Sequence, residues 1–397
     1  MNPFLDFVTR TRLWIIPLGI MWLVLMAAQN ELGFARFRTV DAGFYQELAQ
    51  DFLSGKPMVL DGLNNQQGNA FSPYPPGYPV LLGISSFVSG SGHWLNHVFL
   101  HAILLLILVL VWQNHASLLP LGLVVFSDSA LNLSSLGISE FPFLIFSILS
   151  VFCLSRLEQR SDWLWQIGLT LCLCLSFWIR YAGVFFLPVL LLRYLEIRDI
   201  SMHKARQLAW VMIYFVLFIC ILCGSQWLET GLITGGDRYA NSDNSLKLIF
   251  DLSVELINQV SLFRDFRNSS WISFLAGFVF LILLIFLIVK VPLQSDGSGF
   301  QAKDEFHAPF MKLLSRNLFL AGIVYVLFMV VIRWYFYFAE SFDLRLLGPG
   351  ACLIWLGWAV KMDANIGRQP LIFKLGFLLL VLVFYLPSAF WPALMNQ

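Results

Sequence analysis

Long apolar stretches recur along the whole chain, separated by short polar connections. Many of them approach the roughly 20 residues that an α-helix needs to cross a bilayer. The pattern predicts about eleven transmembrane helices, with approximate ranges 13–29, 95–113, 119–137, 140–156, 163–179, 182–195, 208–227, 271–291, 317–335, 346–362 and 371–391. We therefore predict an all-α, polytopic transmembrane helical bundle that forms one integral-membrane domain over residues 1–397.

The apolar segment 75–90 is the one whose membrane crossing is in doubt, because it is short and opens with two prolines. The distribution of positive charge decides the question. If this segment does not cross, most of the 25 Lys and Arg residues fall on one side, which the positive-inside rule makes cytoplasmic. We therefore expect a cytoplasmic N-terminus, a retained first span, and large external loops at about 30–94 and 228–270. Segment 75–90 is then an interfacial or re-entrant helix.

A second interfacial helix is predicted at 40–54, within the first external loop. Its polar residues fall opposite an apolar side, which comprises Val40, Phe44, Tyr45, Leu48, Ala49 and Phe52. Asp41 departs from this pattern. At 100° per residue, its carboxylate lies within about 20° of the apolar positions Leu48 and Phe52.

Composition narrows the function classes. The chain is 58% hydrophobic and 12% charged, and its net charge of +1 comes without basic runs, so nucleic-acid binding is not indicated. All six cysteines fall in apolar spans, and we expect no disulfide framework. The first loop has no Asp-x-Asp pair, and the helical stripe His93, His97 and His101 is better explained by packing than by zinc. We predict no metal and no other cofactor.

Several short motifs resemble those of one enzyme superfamily. Asp41 and Tyr45 form D-x-x-x-Y in a helix that ends at Gly55, and Pro75-Pro76-Gly77-Tyr78-Pro79 follows. Further along lie Ser139-Glu140, Arg180-Tyr181-Ala182-Gly183, and Asp343-Leu344-Arg345 with Pro349. In this order the motifs resemble the GT-C superfamily of membrane glycosyltransferases, in particular polyprenyl-phosphate-sugar-dependent enzymes such as the lipopolysaccharide-core sugar transferases and the protein mannosyltransferases.

The resemblance implies an inverting glycosyl transfer at the outer face of the plasma (inner) membrane. Asp41 would be the general base that deprotonates the acceptor hydroxyl. Arg345 would stabilise the departing lipid phosphate, with Arg180 as second candidate. The resemblance adds Glu140, Tyr181 and Tyr78 to the substrate-binding residues. The partners would be a polyprenyl-phosphate-linked sugar and a glycan, lipid or protein acceptor.

Each of these residues also has a structural interpretation. Asp41 suits a helix N-terminus, as does Glu140 behind Ser139 as N-cap. Arg180 and Arg345 stand at span ends, where arginine commonly reaches into the headgroup region. Arg333 is typical of an interfacial aromatic belt.

Two other functions stay open at this stage. One is a transporter or flippase for a lipid-linked substrate, whose pathway would include Asp128 in the third span. The other is a non-catalytic scaffold within a polysaccharide assembly complex, because loss of activity can leave such motifs in place.

Overall fold

The computed structural model describes residues 40–56, 58, 74–89, 133, 138–230, 233, 246–249, 251–252, 307–336 and 344–366. This part of the chain is all-helical. Its main elements are α1 (Val40–Leu53), α2 (Gly77–Ser89), α3 (Glu140–Gln159), α4 (Trp163–Ile179), a 3₁₀ helix (Tyr181–Phe185), α5 (Phe186–Arg198), α6 (Met202–Thr230), α7 (His307–Tyr335) and α8 (Leu344–Ile366).

Within the described residues, three helices are long and apolar enough to cross a membrane, namely α3, α6 over Met202–Leu228 and α7 over Phe310–Tyr335. Shorter apolar helices lie at Gly77–Phe87, Trp163–Ile179 and Leu346–Lys361. The prediction of an all-α membrane protein is confirmed at this level. Helices cover the predicted spans 140–156, 163–179, 182–195, 208–227, 317–335 and 346–362. The predicted spans 13–29, 95–113, 271–291 and 371–391, and all of 119–137 except residue 133, lie outside the described residues.

The helices run back and forth between two ends of a bundle, which we name the Glu140 end and the Arg193 end. At the Glu140 end, Arg180 after α4 pairs with Glu140 at the start of α3. At the Arg193 end, Arg193 of α5 pairs with Glu158 in the last turn of α3. This alternation follows from the short connections, which oblige consecutive helices to pack antiparallel.

Helices α7 and α8 pack antiparallel at close range. The hydroxyl of Ser315 donates to the carbonyl of Gly357 at 2.7 Å. Further along, a Cβ added to Gly322 would come within 2.8 Å of the carbonyl oxygen of Gly350, so the two backbones can approach only because both residues lack side chains. A Cβ added to Gly350 would also come within 2.7 Å of the ring of Tyr325, which packs on Phe143 in the first turn of α3 with ring centroids 5.7 Å apart. Helix α8 therefore begins at the Glu140 end.

The Arg193 end is held by a buried charge network. Arg193, with 2% of its side chain exposed, donates from Nε and Nη2 to the two carboxylate oxygens of Glu158, each at 2.7 Å. Arg193 also pairs with Glu196, and Arg316 of α7 approaches Glu158 at 3.7 Å and Glu196 at 3.5 Å. Lys204 of α6 donates to the carbonyl of Glu158. One glutamate therefore connects α3, α5, α6 and α7.

Helices α1 and α2 form a pair at the Glu140 end. The prediction of a helix at 40–54 is confirmed, and Tyr45, Leu48 and Ala49 of its apolar side are buried. Phe52 differs, with 38% exposure, because it lies in the last turn of α1. Helix α2 has 13 residues, which gives about 20 Å of length. That length is less than the thickness of a hydrocarbon core of about 30 Å. The interfacial or re-entrant position expected for segment 75–90 stays a prediction.

Candidate functional site

Tyr45 lies at the centre of the candidate site. Only 3% of its surface is exposed, and its ring packs between those of Tyr74 and Tyr78 with centroid distances of 4.8 and 4.7 Å. Its hydroxyl donates a 2.9 Å hydrogen bond to Oγ of Ser139. Tyr45 therefore fixes α1 and the chain around α2 against the start of α3.

Asp41 stands one turn before Tyr45 on α1 and is partly exposed. The hydroxyl of Tyr74 donates to its Oδ1 at 2.6 Å. The sequence placed this carboxylate next to the apolar side of the helix, and in the structure its partner Tyr74 packs on Tyr45 of that side, with ring centroids 4.8 Å apart. A contact with a residue 33 positions away shows that Asp41 does more than begin a helix.

Glu140 and Arg180 form a second unit of the site. Nη1 of Arg180 lies 2.6 Å from Oε1 of Glu140, and the two side chains are 18% and 1% exposed. The same Nη1 donates to Oγ of Ser139 at 3.2 Å, and that hydroxyl lies 3.4 Å from Oε2 of Glu140. Ser139 has helical φ and ψ of −68° and −16° and makes no capping hydrogen bond with its side chain. Ser139 holds the predicted N-cap position of α3, and its carbonyl accepts the first helical hydrogen bond, from the N–H of Phe143. Its hydroxyl makes no cap and instead accepts from Tyr45 and Arg180.

Electrostatics connect Asp41 with the Glu140–Arg180 pair. Burial raises the pKa of Tyr45 well above its ordinary value, and the carboxylates of Glu140 and Asp41 raise it further, against opposing effects of Arg180 and Ser139. Desolvation alone would lower the pKa of Arg180, but attraction to Glu140 and to the oxygens of Tyr325 and Tyr45 raises it instead. The Tyr45 hydroxyl therefore lies within electrostatic reach of Asp41, Glu140 and Arg180.

The two remaining tyrosines of the predicted set are placed differently. Tyr78 is fully buried beneath Tyr45. Tyr181 is partly exposed, packs on Phe177 with ring centroids 5.7 Å apart, and accepts a hydrogen bond from Nε2 of Gln226. Tyr181 thus joins the site to α6.

Arg345 is the second residue of α8, and its backbone lies at the Glu140 end. Pro349, one turn later, has no N–H and cannot give the carbonyl of Arg345 its usual helical hydrogen bond. Arg333 near the end of α7 is 3% exposed, whereas Trp334, Tyr335 and Phe336 are 44%, 67% and 39% exposed. Arg333 therefore points into the protein and does not share the aromatic surface of its neighbours.

Sequence reasoning missed the roles of Tyr74 and Ser139. Tyr74 stands in the proline-rich segment that opens α2, where the composition predicts only loop shape, and nothing local ties it to a residue on α1. No three His, Cys, Asp or Glu side chains cluster as metal ligands within the described residues. Asp128 and the stripe His93, His97 and His101 lie outside those residues, and the six cysteines are free thiols.

The chain was compared with protein families, curated proteins and solved structures. No family model, no curated protein and no solved structure matches it significantly. The likeness to membrane glycosyltransferases therefore depends on the motifs around Asp41, Glu140, Arg180 and Arg345, and the function that it implies is a proposal.

Proposed function

We propose that the protein is a GT-C-like membrane glycosyltransferase that moves a sugar from a polyprenyl-phosphate carrier to an acceptor hydroxyl. The observation that carries the proposal is the arrangement around Tyr45. One partly exposed carboxylate, Asp41, lies near a buried Glu140–Arg180 pair, and all three belong to motifs that the resemblance singled out. General-base catalysis needs a carboxylate on a fixed element, where the acceptor hydroxyl can reach it.

In the proposed reaction Asp41 takes the proton of the acceptor hydroxyl. The acceptor oxygen then bonds to the anomeric carbon from the face opposite the phosphate. The bond between that carbon and the phosphate oxygen breaks, and its electron pair leaves with the polyprenyl phosphate. The proton on Asp41 returns to solvent, so the enzyme is regenerated and the anomeric configuration is inverted.

Charge balance supports Arg345, rather than Arg180, as the group that stabilises the leaving phosphate. The charge of Arg180 is already offset by Glu140 at 2.6 Å, and Asp41 adds a further negative charge nearby. A dianionic or monoanionic phosphate in this setting needs another cation. Arg345 opens α8 at the same end of the bundle. Arg180, Tyr181 and Glu140 would border the sugar, and buried Tyr78 would act through Tyr45.

The orientation that we propose puts the Glu140 end on the extracytoplasmic face of the plasma (inner) membrane, with about eleven spans in total. The cations at the opposite end of the bundle favour this orientation under the positive-inside rule; they include Arg156, Arg160, Arg193, Arg198, Lys204, Lys312 and Arg316. The lipid donor would then enter sideways from the outer leaflet.

The proposal is tested with purified protein in lipid nanodiscs and a panel of radiolabelled polyprenyl-phosphate sugars, each offered with extracts of glycolipid, glycan and protein acceptors. We expect sugar transfer by the parent, loss of it by Asp41→Asn, and near-parental transfer by Glu47→Gln, whose exposed carboxylate lies on the same helix. Transbilayer movement of the donor without transfer would instead establish a flippase. Neither activity in a folded protein would favour a scaffold.

A further inference from the structure

The hydrogen bond between Tyr74 and Asp41 is short and joins two segments that are distant in sequence. The O–O distance of 2.6 Å between the Tyr74 hydroxyl and Oδ1 of Asp41 is in the range of a hydroxyl donating to an ionised carboxylate. Such a bond is stronger than one between neutral groups and has a defined direction. It therefore constrains the rotation of the Asp41 carboxylate about its side chain.

The Tyr74 hydroxyl is presented by a rigid aromatic stack. Its ring packs on Tyr45 at 4.8 Å and on Phe44 at 6.4 Å. Tyr45 rests in turn on the fully buried Tyr78 and is fixed by Ser139. Pro75, directly after Tyr74, is also buried, which restricts the backbone that carries the ring. The ring of Tyr74 is therefore packed against α1, the helix that carries Asp41.

We propose that Tyr74 is a positioning residue for the transfer reaction: its hydroxyl holds Oδ1 of Asp41 so that Oδ2 receives the proton of the acceptor hydroxyl. This inference rests on the proposed function. Tyr74 keeps its own proton throughout, while the acceptor proton passes to Oδ2 as the new glycosidic bond forms and the sugar–phosphate bond breaks. A general base is more effective when a neighbouring group holds it in the productive direction.

The competing explanation is that Tyr74 contributes only its ring to the stack. Tyr74→Phe separates the two, because it removes the hydroxyl and keeps the ring. In the parent background we expect kcat to fall about tenfold to a hundredfold, the effect of losing one hydrogen bond to a charged group. KM for the lipid-linked donor should change less than about twofold, since Tyr74 does not bind the donor.

Tyr214→Phe is the matched control, because it removes the hydroxyl of a 49% exposed tyrosine on α6 that stacks on Trp210. It should keep parental kcat and KM. A Tyr74→Phe variant with parental kcat overturns the proposal.

A stability cycle tests the contact without using the reaction. Tyr74→Phe should destabilise the parent but not Asp41→Ala, as measured by thermal unfolding in detergent. Equal effects in both backgrounds overturn the hydrogen bond and the positioning role, even if the protein transfers sugar. The cycle can show coupling between Tyr74 and Asp41 while the protein transfers sugar from none of the donors. In that case the hydrogen bond stands, but the proposed function fails, and with it the positioning role of Tyr74.

Discussion

Arg180 and Glu140 form an ion pair that closes one end of the helical bundle. The guanidinium at the end of α4 meets the carboxylate at the start of α3 at 2.6 Å, and Glu140 is 1% exposed. Nη1 of Arg180, the nitrogen that meets Glu140, also donates to the hydroxyl of Ser139. The same hydroxyl accepts a hydrogen bond from Tyr45. The pair thus fixes α3, α4 and, through Tyr45, α1 in one arrangement around Asp41.

Glu140→Gln should lower the free energy of unfolding by about 3 kcal/mol, because it leaves the charge of Arg180 largely buried without its counter-ion. The measurement is denaturant unfolding in detergent, followed by circular dichroism. Glu47→Gln, an isosteric change on the exposed side of α1, should shift stability by less than about 0.5 kcal/mol. Equal small effects of the two substitutions would show that the pair contributes little to stability.

The raised pKa of Tyr45 predicts a loss of stability in alkali. Burial and the carboxylates of Glu140 and Asp41 disfavour its phenolate in the folded protein, whereas in the unfolded chain it ionises near pH 10. Below pH 10 both states keep the proton, so this group adds no pH dependence. Above pH 10 only the unfolded state releases it, and stability falls as pH rises.

The check for Tyr45 is the slope of unfolding free energy between pH 10 and pH 11. Tyr45→Phe should reduce that slope by up to about 1.4 kcal/mol per pH unit, the limit for one proton. A parental slope in Tyr45→Phe would mean that Tyr45 ionises in the folded protein as it does in the unfolded chain.

Helix positions were predictable from the sequence because each depends on a local pattern. The predicted span 163–179 coincides with α4, and segment 75–90 contains the short helix α2. The distribution of Lys and Arg among the loops also predicted that Asp41, Glu140 and Arg180 would lie at one end of the bundle. These inferences use only periodicity, length and charge distribution, which the sequence displays directly.

The partners within the site were not predictable in the same way. That Arg180 pairs with Glu140, and that Tyr74 donates to Asp41, depends on the rotation and crossing of helices, which periodicity does not determine. Ser139 holds the N-cap position as predicted, yet its hydroxyl bonds to Tyr45 and Arg180 from other helices and makes no local cap. Arg333 was expected in an aromatic surface. In the structure Arg333 is buried, whereas the next residue, Trp334, is exposed.

Arg193 provides a test of the network at the opposite end of the bundle. Arg193→Ala should cost about 3 to 5 kcal/mol, because it leaves the buried carboxylate of Glu158 with only the more distant Arg316. The double variant Arg193→Met with Glu158→Leu should recover much of the stability that Arg193→Ala loses, because the buried carboxylate of Glu158 is then absent. Arg198→Ala, which breaks a half-exposed pair with Asp199, should cost less than about 1 kcal/mol. Chemical unfolding of the four proteins in one detergent gives the comparison, and equal losses for Arg193→Ala and Arg198→Ala would contradict it.

Gly77 determines how closely α2 approaches the end of α4. A Cβ at this position would lie 2.5 Å from the carbonyl oxygen of Trp178 and 2.8 Å from its side chain, two residues before Arg180. Because the nearest obstacle is backbone, Gly77→Ala should displace α2 and lower stability by about 1 to 3 kcal/mol. Displacing α2 also moves Tyr78 and Tyr74, so under the proposed function sugar transfer should fall as well.

Gly43→Ala is the matched control for Gly77→Ala, because it lies in the neighbouring helix α1, and an added Cβ there meets nothing within 4 Å. Alanine is favoured over glycine in a helix by up to about 1 kcal/mol, so this variant should be as stable as the parent or more so. The thermal unfolding midpoint of Gly77→Ala should therefore lie below that of the parent, and that of Gly43→Ala at or above it. If Gly77→Ala unfolds at the parental temperature, α2 can move away from α4 at no cost, and the close approach that places Tyr74 beside Asp41 is not needed for the fold.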